Sequence, residues 1–241
     1  MKSLRFFRRS DFETMKNTFV LSVGGSLMVT SAGVDTGFLK EFCAFILGLT
    51  KKGYKFYLVA GGGVTARNYI KAALEITPIS PADRDWVGIS ATHLNAQLLR
   101  ASFGKIAYPT IIIDPTRKIS SKKSIVVAAG YKPGWSTDYD AVLLAQANGI
   151  KTVINLSNID YAYDKDPQRF KDAKKLEKVS WPEFRKIVGN RWTPGLNAPF
   201  DPIASREAGK DKMKVVILNG RNLKNLEACL KGGDFIGTVV E

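Results

Sequence analysis

Two stretches decide how this chain folds: residues 18–26, TFVLSVGGS, and residues 55–67, KFYLVAGGGVTAR. Each is a short apolar run, rich in β-branched or aromatic residues, that ends in consecutive glycines. The second continues into a helical pattern, VTARNYIKAALEI. A strand that is apolar almost throughout is buried on both faces, which is the habit of parallel sheets. In open α/β sheets ligands bind beyond the carboxyl ends of the strands, where glycines let backbone N–H groups approach a phosphate beside a helix N-terminus. Two such loops predict two phosphate groups held in one crevice.

Outward from these loops the same alternation continues. Strands are expected at FVLSV (19–23), KFYLVA (55–60), YPTIII (108–113), SIVVAAG (124–130), TVINL (152–156) and KMKVVIL (212–218), and helices at 35–52, 64–76, 85–103, 138–149, 181–188, 201–209 and 222–230. Strands followed by helices mean an α/β fold with a mostly parallel central sheet and helices on both faces, an αβα sandwich. Residues 1–16 are basic and aromatic without periodicity and read as an N-terminal extension. A weak boundary falls after Leu156, where the chain becomes more polar, and divides a 17–156 lobe from a 157–241 lobe.

The composition bounds the function. A chain of 241 residues, 45% hydrophobic, can bury a core without disulfides or a structural metal. Its two cysteines, Cys43 and Cys229, have no CxxC or Cys/His spacing that would hold zinc and read as reduced thiols. No run approaches the roughly 20 apolar residues of a membrane span, and the N-terminus lacks an apolar signal stretch, so a cytoplasmic location is expected. The net charge of +14 attracts polyanions. The lysines and arginines are scattered, however, so nucleic acid is not expected as the main ligand, and a basic proteome or small phosphorylated substrates explain the charge as well.

Neither glycine loop is a Walker A motif, since GxxxxGK[ST] is absent from the chain. Gly61, Gly63 and Ala66 also fit the G-x-G-x-x-A dinucleotide fingerprint, with Asp83 or Asp85 about 20 residues on. That reading leaves Gly24, Gly25 and Ser26 unexplained, and Arg67 directly after the triplet offers an anion-binding fork.

Five ordered motifs carry a resemblance: Gly24-Gly25-Ser26; Gly61-Gly62-Gly63-x-x-Ala66-Arg67; Asp85-x-x-Gly88-Ile89-x-x-Thr92-x-x-Asn95-Ala96; Pro133-Gly134-Trp135-Ser136-Thr137-Asp138; and Ser157-Asn158-Ile159-Asp160-x-x-Tyr163-x-x-Asp166-Pro167. With these the chain resembles the amino-acid-kinase family, most closely the archaeal-type uridylate kinases, over residues 18–241. The resemblance implies transfer of the γ-phosphoryl of ATP to UMP, with Mg²⁺ carried by ATP and a homo-oligomer, commonly a hexamer. By motif, the 17–156 lobe would hold UMP through Gly62, Asp85, Tyr131, Lys132, Pro133, Gly134, Trp135, Ser136 and Thr137. The 157–241 lobe would bind ATP, and Gly25, Ser26, Gly63, Arg67, Ser157, Asn158, Tyr163 and Asp166 would face that nucleotide. Asp138 and Arg67 would be catalytic.

The chemistry of these residues agrees. Asp85 can accept hydrogen bonds from both ribose hydroxyls, or else serve as an N-terminal helix acid. Pro133-Gly134 makes a rigid turn, Ser136 and Thr137 can pair with a base edge, and Trp135 can stack on it or simply pack. Asp138 matches the family's Asp that organises groups between the two phosphates, or else caps the next helix. No general base is needed, because a phosphate monoester is already an anionic nucleophile, so His93 reads as a packing or polar surface residue. Two positions depart from the family. Ser22 stands where Lys often precedes the glycines, and Tyr161 stands for a glycine, where a ring would narrow the adenine pocket. Both departures favour the alternative of a catalytically silent nucleotide- or anion-binding or storage member of the fold, and a kinase of the fold with another phosphate acceptor is a further alternative.

Overall fold

The computed structural model describes residues 17–191 and 198–241. The expected N-terminal extension, 1–16, lies outside the described residues. Strand β1 (Thr18–Val23) is followed by a one-turn helix α1 (Gly25–Met28) and a small hairpin of β2 (Val29–Thr30) and β3 (Gly33–Val34). Then come α2 (Thr36–Thr50), β4 (Lys55–Ala60), α3 (Gly63–Ile76), α4 (Pro81–Phe103), β5 (Ile125–Ala128), α5 (Thr137–Ala147) and β6 (Thr152–Ser157). A second small hairpin, β7 (Ala162–Tyr163) and β8 (Lys175–Leu176), precedes β9 (Lys178–Val179). The chain closes with α6 (Trp181–Val188), α7 (Pro202–Lys210), β10 (Lys214–Asn219), α8 (Leu223–Leu230) and β11 (Thr238–Val240).

Seven strands form one sheet in the order β5-β4-β1-β6-β10-β11-β9. Every neighbouring pair is parallel except β10 with β11. Alternate side chains leave opposite faces of a strand, and each face finds its own helical layer. Leu21, Phe56, Leu58, Ile125, Val127, Ile154, Val216 and Leu218 pack with Phe42 and Ile46 of α2, Leu99 of α4 and Leu226 of α8. Val20, Tyr57, Val59, Val126, Val153, Val215 and Ile217 pack with Val142 and Leu144 of α5, Phe184 of α6 and Ala204 of α7. The αβα sandwich expected from the sequence is the one observed. Helix α3 buries no residue fully and packs on α4, outside the first layer.

Two expectations need correction. YPTIII is not a strand. Residues 108–113 run beside the outer edge of β5, where Tyr108 N–H donates to Ile125 O at 2.8 Å and Ile112 N–H to Val127 O at 2.8 Å. Pro109 between them has no N–H to give to a ladder, so the pairing stays broken into isolated bridges. The helix expected from residue 85 begins four residues earlier. Ser80 caps it by accepting from Asp83 N–H at 3.1 Å, and Pro81 takes the first helical position. The order Ser-Pro is a start signal that the sequence carried.

Candidate active site

Both glycine loops lie at the carboxyl ends of adjacent strands, β1 and β4. Gly61 N–H donates to Val23 O at 2.9 Å, and Gly24 N–H donates to Leu156 O at 3.0 Å, which joins the first loop to the end of β6. The loops touch each other through backbone. A Cβ on Gly25 would lie 2.2 Å from Gly63 N, and one on Gly63 would lie 2.3 Å from Gly25 C, while Gly63 also has φ +59°. Only glycine permits that approach, so the two loops meet backbone to backbone. Asn95, 4% exposed on α4, fixes the triplet by donating to Gly61 O at 2.8 Å and Gly62 O at 3.2 Å.

Beyond the triplet opens a cleft of about 610 Å³ between α3, α4 and the segment that leads into α5. Of the residues expected at the acceptor, Gly62, Asp85, Trp135, Ser136 and Thr137 line it, as do Gly63 and Arg67. Asp85 sits one turn inside α4 rather than at its start, and its carboxylate accepts from Gly134 N–H at 2.6 Å. The helix-acid role belongs to Asp83. Trp135 packs against Tyr139 (centroids 4.8 Å apart) and edge-on to Tyr131 (5.4 Å), with Lys132 Nζ 4.3 Å above its ring. The segment is therefore a rigid aromatic group and not a loose flap. Arg67 is exposed and makes no ion pair among the described residues, so its fork is free for an anion.

Asp138 follows Thr137 of the cleft wall and is tied to β1 just before its glycine loop. Its carboxylate accepts from Ser22 Oγ at 2.9 Å and from Asp201 N–H at 3.4 Å. It is not the cap of α5; Ser136 is, accepting from Tyr139 N–H at 3.2 Å. The residue is half-buried, and burial, aided by the nearby charge of Asp201, pushes its pKa up to about 6 against the pull of the Ser22 hydrogen bond. Asp201 caps α7 through Ala204 N–H at 2.6 Å, is raised mainly by its own burial, and leaves Oδ2 buried without a hydrogen bond of normal geometry although Ser136 lies close by. Asp140, fully buried, completes a group of three carboxylates and is pushed up to about 8, first by burial and then by Asp138 and Asp201.

Of the residues expected at ATP, Gly25, Gly63 and Ser26 share the joined loops. Ser157 ends β6 with its hydroxyl directed at Asn158 Oδ1, 3.4 Å away. Tyr163 is on β7, and Asp166 caps a turn by accepting from Gln168 N–H at 2.9 Å. This hairpin stands beside Tyr161, whose ring has Lys175 Nζ 4.8 Å above it. Thr238 of β11 ties the hairpin down, accepting from Ala162 N–H at 2.9 Å and donating to Leu176 O.

Sequence reasoning left out Arg84, Lys71 and Thr92, which line the same cleft. The Nε of Arg84 is buried there without a partner. Thr92 stood in the resemblance motif without a role; its hydroxyl accepts from Gly130 N–H at 2.8 Å. His93 also holds the cleft wall, with Nε2 2.8 Å from Gly130 O.

The sequence comparison agrees with this architecture. The model of the amino acid kinase family matches residues 17–219. The chain belongs to the amino acid kinase family. Among curated members of that family it is 33% identical over 226 residues to the uridylate kinase of Methanospirillum hungatei, covering 92% of this chain and 94% of that protein. It is 34% identical to the uridylate kinase of Staphylothermus marinus, covering 94% and 99%. The crystal structure of uridylate kinase from Archaeoglobus fulgidus superimposes with a TM-score of 0.79 at 32% identity over 92% of this chain and 99% of that one. The UMP kinase of Bacillus anthracis, at 17% identity and TM-score 0.76, shares the amino acid kinase fold. Family membership replaces the dinucleotide-fingerprint reading of Gly61, Gly63 and Ala66.

Proposed function

We propose that this chain is a uridylate kinase that transfers the γ-phosphoryl of ATP to UMP, giving UDP and ADP. The observation that carries the proposal is the joining of the two glycine loops at the mouth of a cleft whose far wall is Asp85 and the 131–137 segment. Uridylate kinases are also the curated relatives that match almost the whole chain. In this reading residues 17–156 form the acceptor lobe and residues 157–241 the ATP lobe. UMP lies over Gly62, with Asp85 at its ribose and Tyr131, Lys132, Pro133, Gly134, Trp135, Ser136 and Thr137 around its base. ATP lies over Gly25, Ser26 and Gly63 and reaches Ser157, Asn158, Tyr163 and Asp166.

The chemistry asked of the chain is positioning and charge matching. The backbone N–H groups of the joined loops hold donor and acceptor phosphates in line, and the Arg67 fork answers the charge that spreads over the equatorial oxygens. Asp138, fixed by Ser22 and by the cap of α7, orients the groups between the two phosphates. A Mg²⁺ ion brought with ATP would supply positive charge against the transferring phosphoryl group. The nearby donors suit such an ion, because Asp138 and the unpartnered Oδ2 of Asp201 are hard oxygen ligands.

We further place the enzyme in the cytoplasm as a homo-oligomer. Among the described residues no helix is long and apolar enough to cross a membrane. Cys43 and Cys229 are free thiols whose pKa burial pushes up to about 11. Leu94 and Leu98, one turn apart on α4, are 64% and 36% exposed and suit a contact between copies.

The test is ADP release by purified protein with ATP against UMP, CMP, AMP, GMP and isopentenyl phosphate. UMP should be fastest. Faster turnover of another acceptor, or none with any, overturns the proposal.

A further inference from the structure

Asp140 has no part in the mechanism above, yet it is the only carboxylate of the three-acid group with no exposed surface at all. A fully buried carboxyl is costly unless its oxygens are used. One of them is. Asp140 Oδ2 accepts from the backbone N–H of Tyr131 at 3.2 Å, while Oδ1 has no hydrogen-bond partner. Tyr131 is the first residue of the acceptor segment. The residue before it, Gly130, is gripped from α4 by Thr92 on its N–H and His93 on its carbonyl. Three residues further on, Gly134 N–H is held by Asp85.

The segment is thus suspended from two helices. Helix α4 takes Gly130 and Gly134, and α5 takes Tyr131 from the opposite side through Asp140. The peptide between Gly130 and Tyr131 is held at both of its polar groups, the carbonyl by His93 and the N–H by Asp140, so loss of Asp140 leaves His93 as its one named side-chain anchor among the described residues. The ring of Tyr131 sets the edge of Trp135, which lines the cleft. A tilt of that plane therefore reaches the acceptor wall directly.

We infer that Asp140 is a positioning residue, which fixes the acceptor segment through the Tyr131 N–H and so sets affinity for the nucleoside monophosphate without touching it. This rests on the uridylate kinase reading for the identity of the acceptor, though not for the contact itself. A group that shapes the acceptor wall acts on acceptor binding, whereas the proposed ATP contacts belong to the joined glycine loops and to residues 157–166.

The experiment compares wild type with Asp140→Ala and Asp140→Asn. The alanine variant should raise KM for UMP by about fivefold to tenfold, the worth of one buried hydrogen bond. Its kcat and its KM for ATP should stay within about threefold. Asparagine keeps an acceptor oxygen at the same place and should restore KM for UMP. Amide hydrogen exchange on the ligand-free proteins is the second readout. The Tyr131 amide should exchange more slowly than that of Lys132 in wild type and lose this protection in Asp140→Ala. An alanine variant with a lower melting temperature but unchanged KM for UMP, or one in which kcat and both KM values move together, overturns the inference. If the alanine variant does not fold, the wild-type exchange decides: equal rates at Tyr131 and Lys132 overturn it, and slower exchange at Tyr131 upholds it. If wild type ignores UMP altogether, the functional reading fails, while the exchange measurement still judges the contact.

Discussion

At the scale of single residues the site is a small group of carboxylates in a protein of strong positive charge. Asp138 is the one in contact with both glycine-loop strand and α7, through Ser22 and Asp201. Since Ser136 and not Asp138 caps α5, Asp138→Asn removes charge without removing a cap. Turnover should fall by about 100-fold or more while UMP binding stays within a few-fold, as expected of a group that acts on the transition state. Steady-state kinetics beside calorimetric UMP binding checks this, and a variant with near-normal turnover refutes it. Asp140 carries a consequence for pH. Its folded pKa of about 8 lies above the 3.8 of a free Asp, so between these values the folded chain holds a proton that the unfolded chain has released. Stability from this group is full below about pH 4 and is lost as pH rises through about 8. Asp140→Asn cannot lose that proton. Its melting temperature should match wild type near pH 4 and exceed it by a margin that grows up to about pH 8 and then levels off, and a constant difference from pH 4 to 8 would contradict the buried-acid account.

At the scale of elements, the decisive contact is between two turns and not between side chains. Gly25 and Gly63 meet backbone to backbone, so a methyl group on either must drive β1 and β4 loops apart. Gly25→Ala should cost about 3 kcal/mol or more in stability and abolish most activity. Gly48, exposed within α2 with open space around its absent Cβ, is the control. There Gly48→Ala should stabilise by about 0.5–1 kcal/mol. Chemical denaturation of both variants measures the contrast, and equal effects would mean that the loops do not touch as described. The same scale explains the helix start that sequence reading placed late. Periodicity begins near Asp85, whereas the cap and the proline that fix the true N-terminus lie before any apolar repeat.

At the scale of the whole molecule, one sheet runs through both proposed lobes, with β1 and β6 adjacent at its centre. The acceptor cleft and the β7–β8 hairpin are therefore fixed to one platform. The exposed Leu94 and Leu98 on α4 lead to the expectation that the particle in solution is a multiple of 26.5 kDa. Sedimentation equilibrium at micromolar concentration should show this, and Leu94→Glu should reduce the mass. A 26.5 kDa species for wild type at those concentrations would remove the homo-oligomer from the proposal.

The apolar runs that end in Gly24-Gly25 and Gly61-Gly62-Gly63 determined by themselves the parallel strands, the two helical layers and the place of the crevice, because period and glycine position are local properties of a chain. The motifs around Asp85, of the 131–137 segment and of Asp138 could be picked out because each is a fixed local spacing, while the roles proposed for them rest on the family resemblance. Tertiary structure alone decided the rest. That Gly25 must clear Gly63, that Ser22 serves Asp138, that Thr92, His93 and Asp140 hold Gly130 and Tyr131 from two sides, and that Arg84 turns into the cleft all depend on residues from 9 to 116 positions apart, or on which way a helix faces. No spacing rule encodes such contacts, since they arise only when separate elements are packed on one sheet.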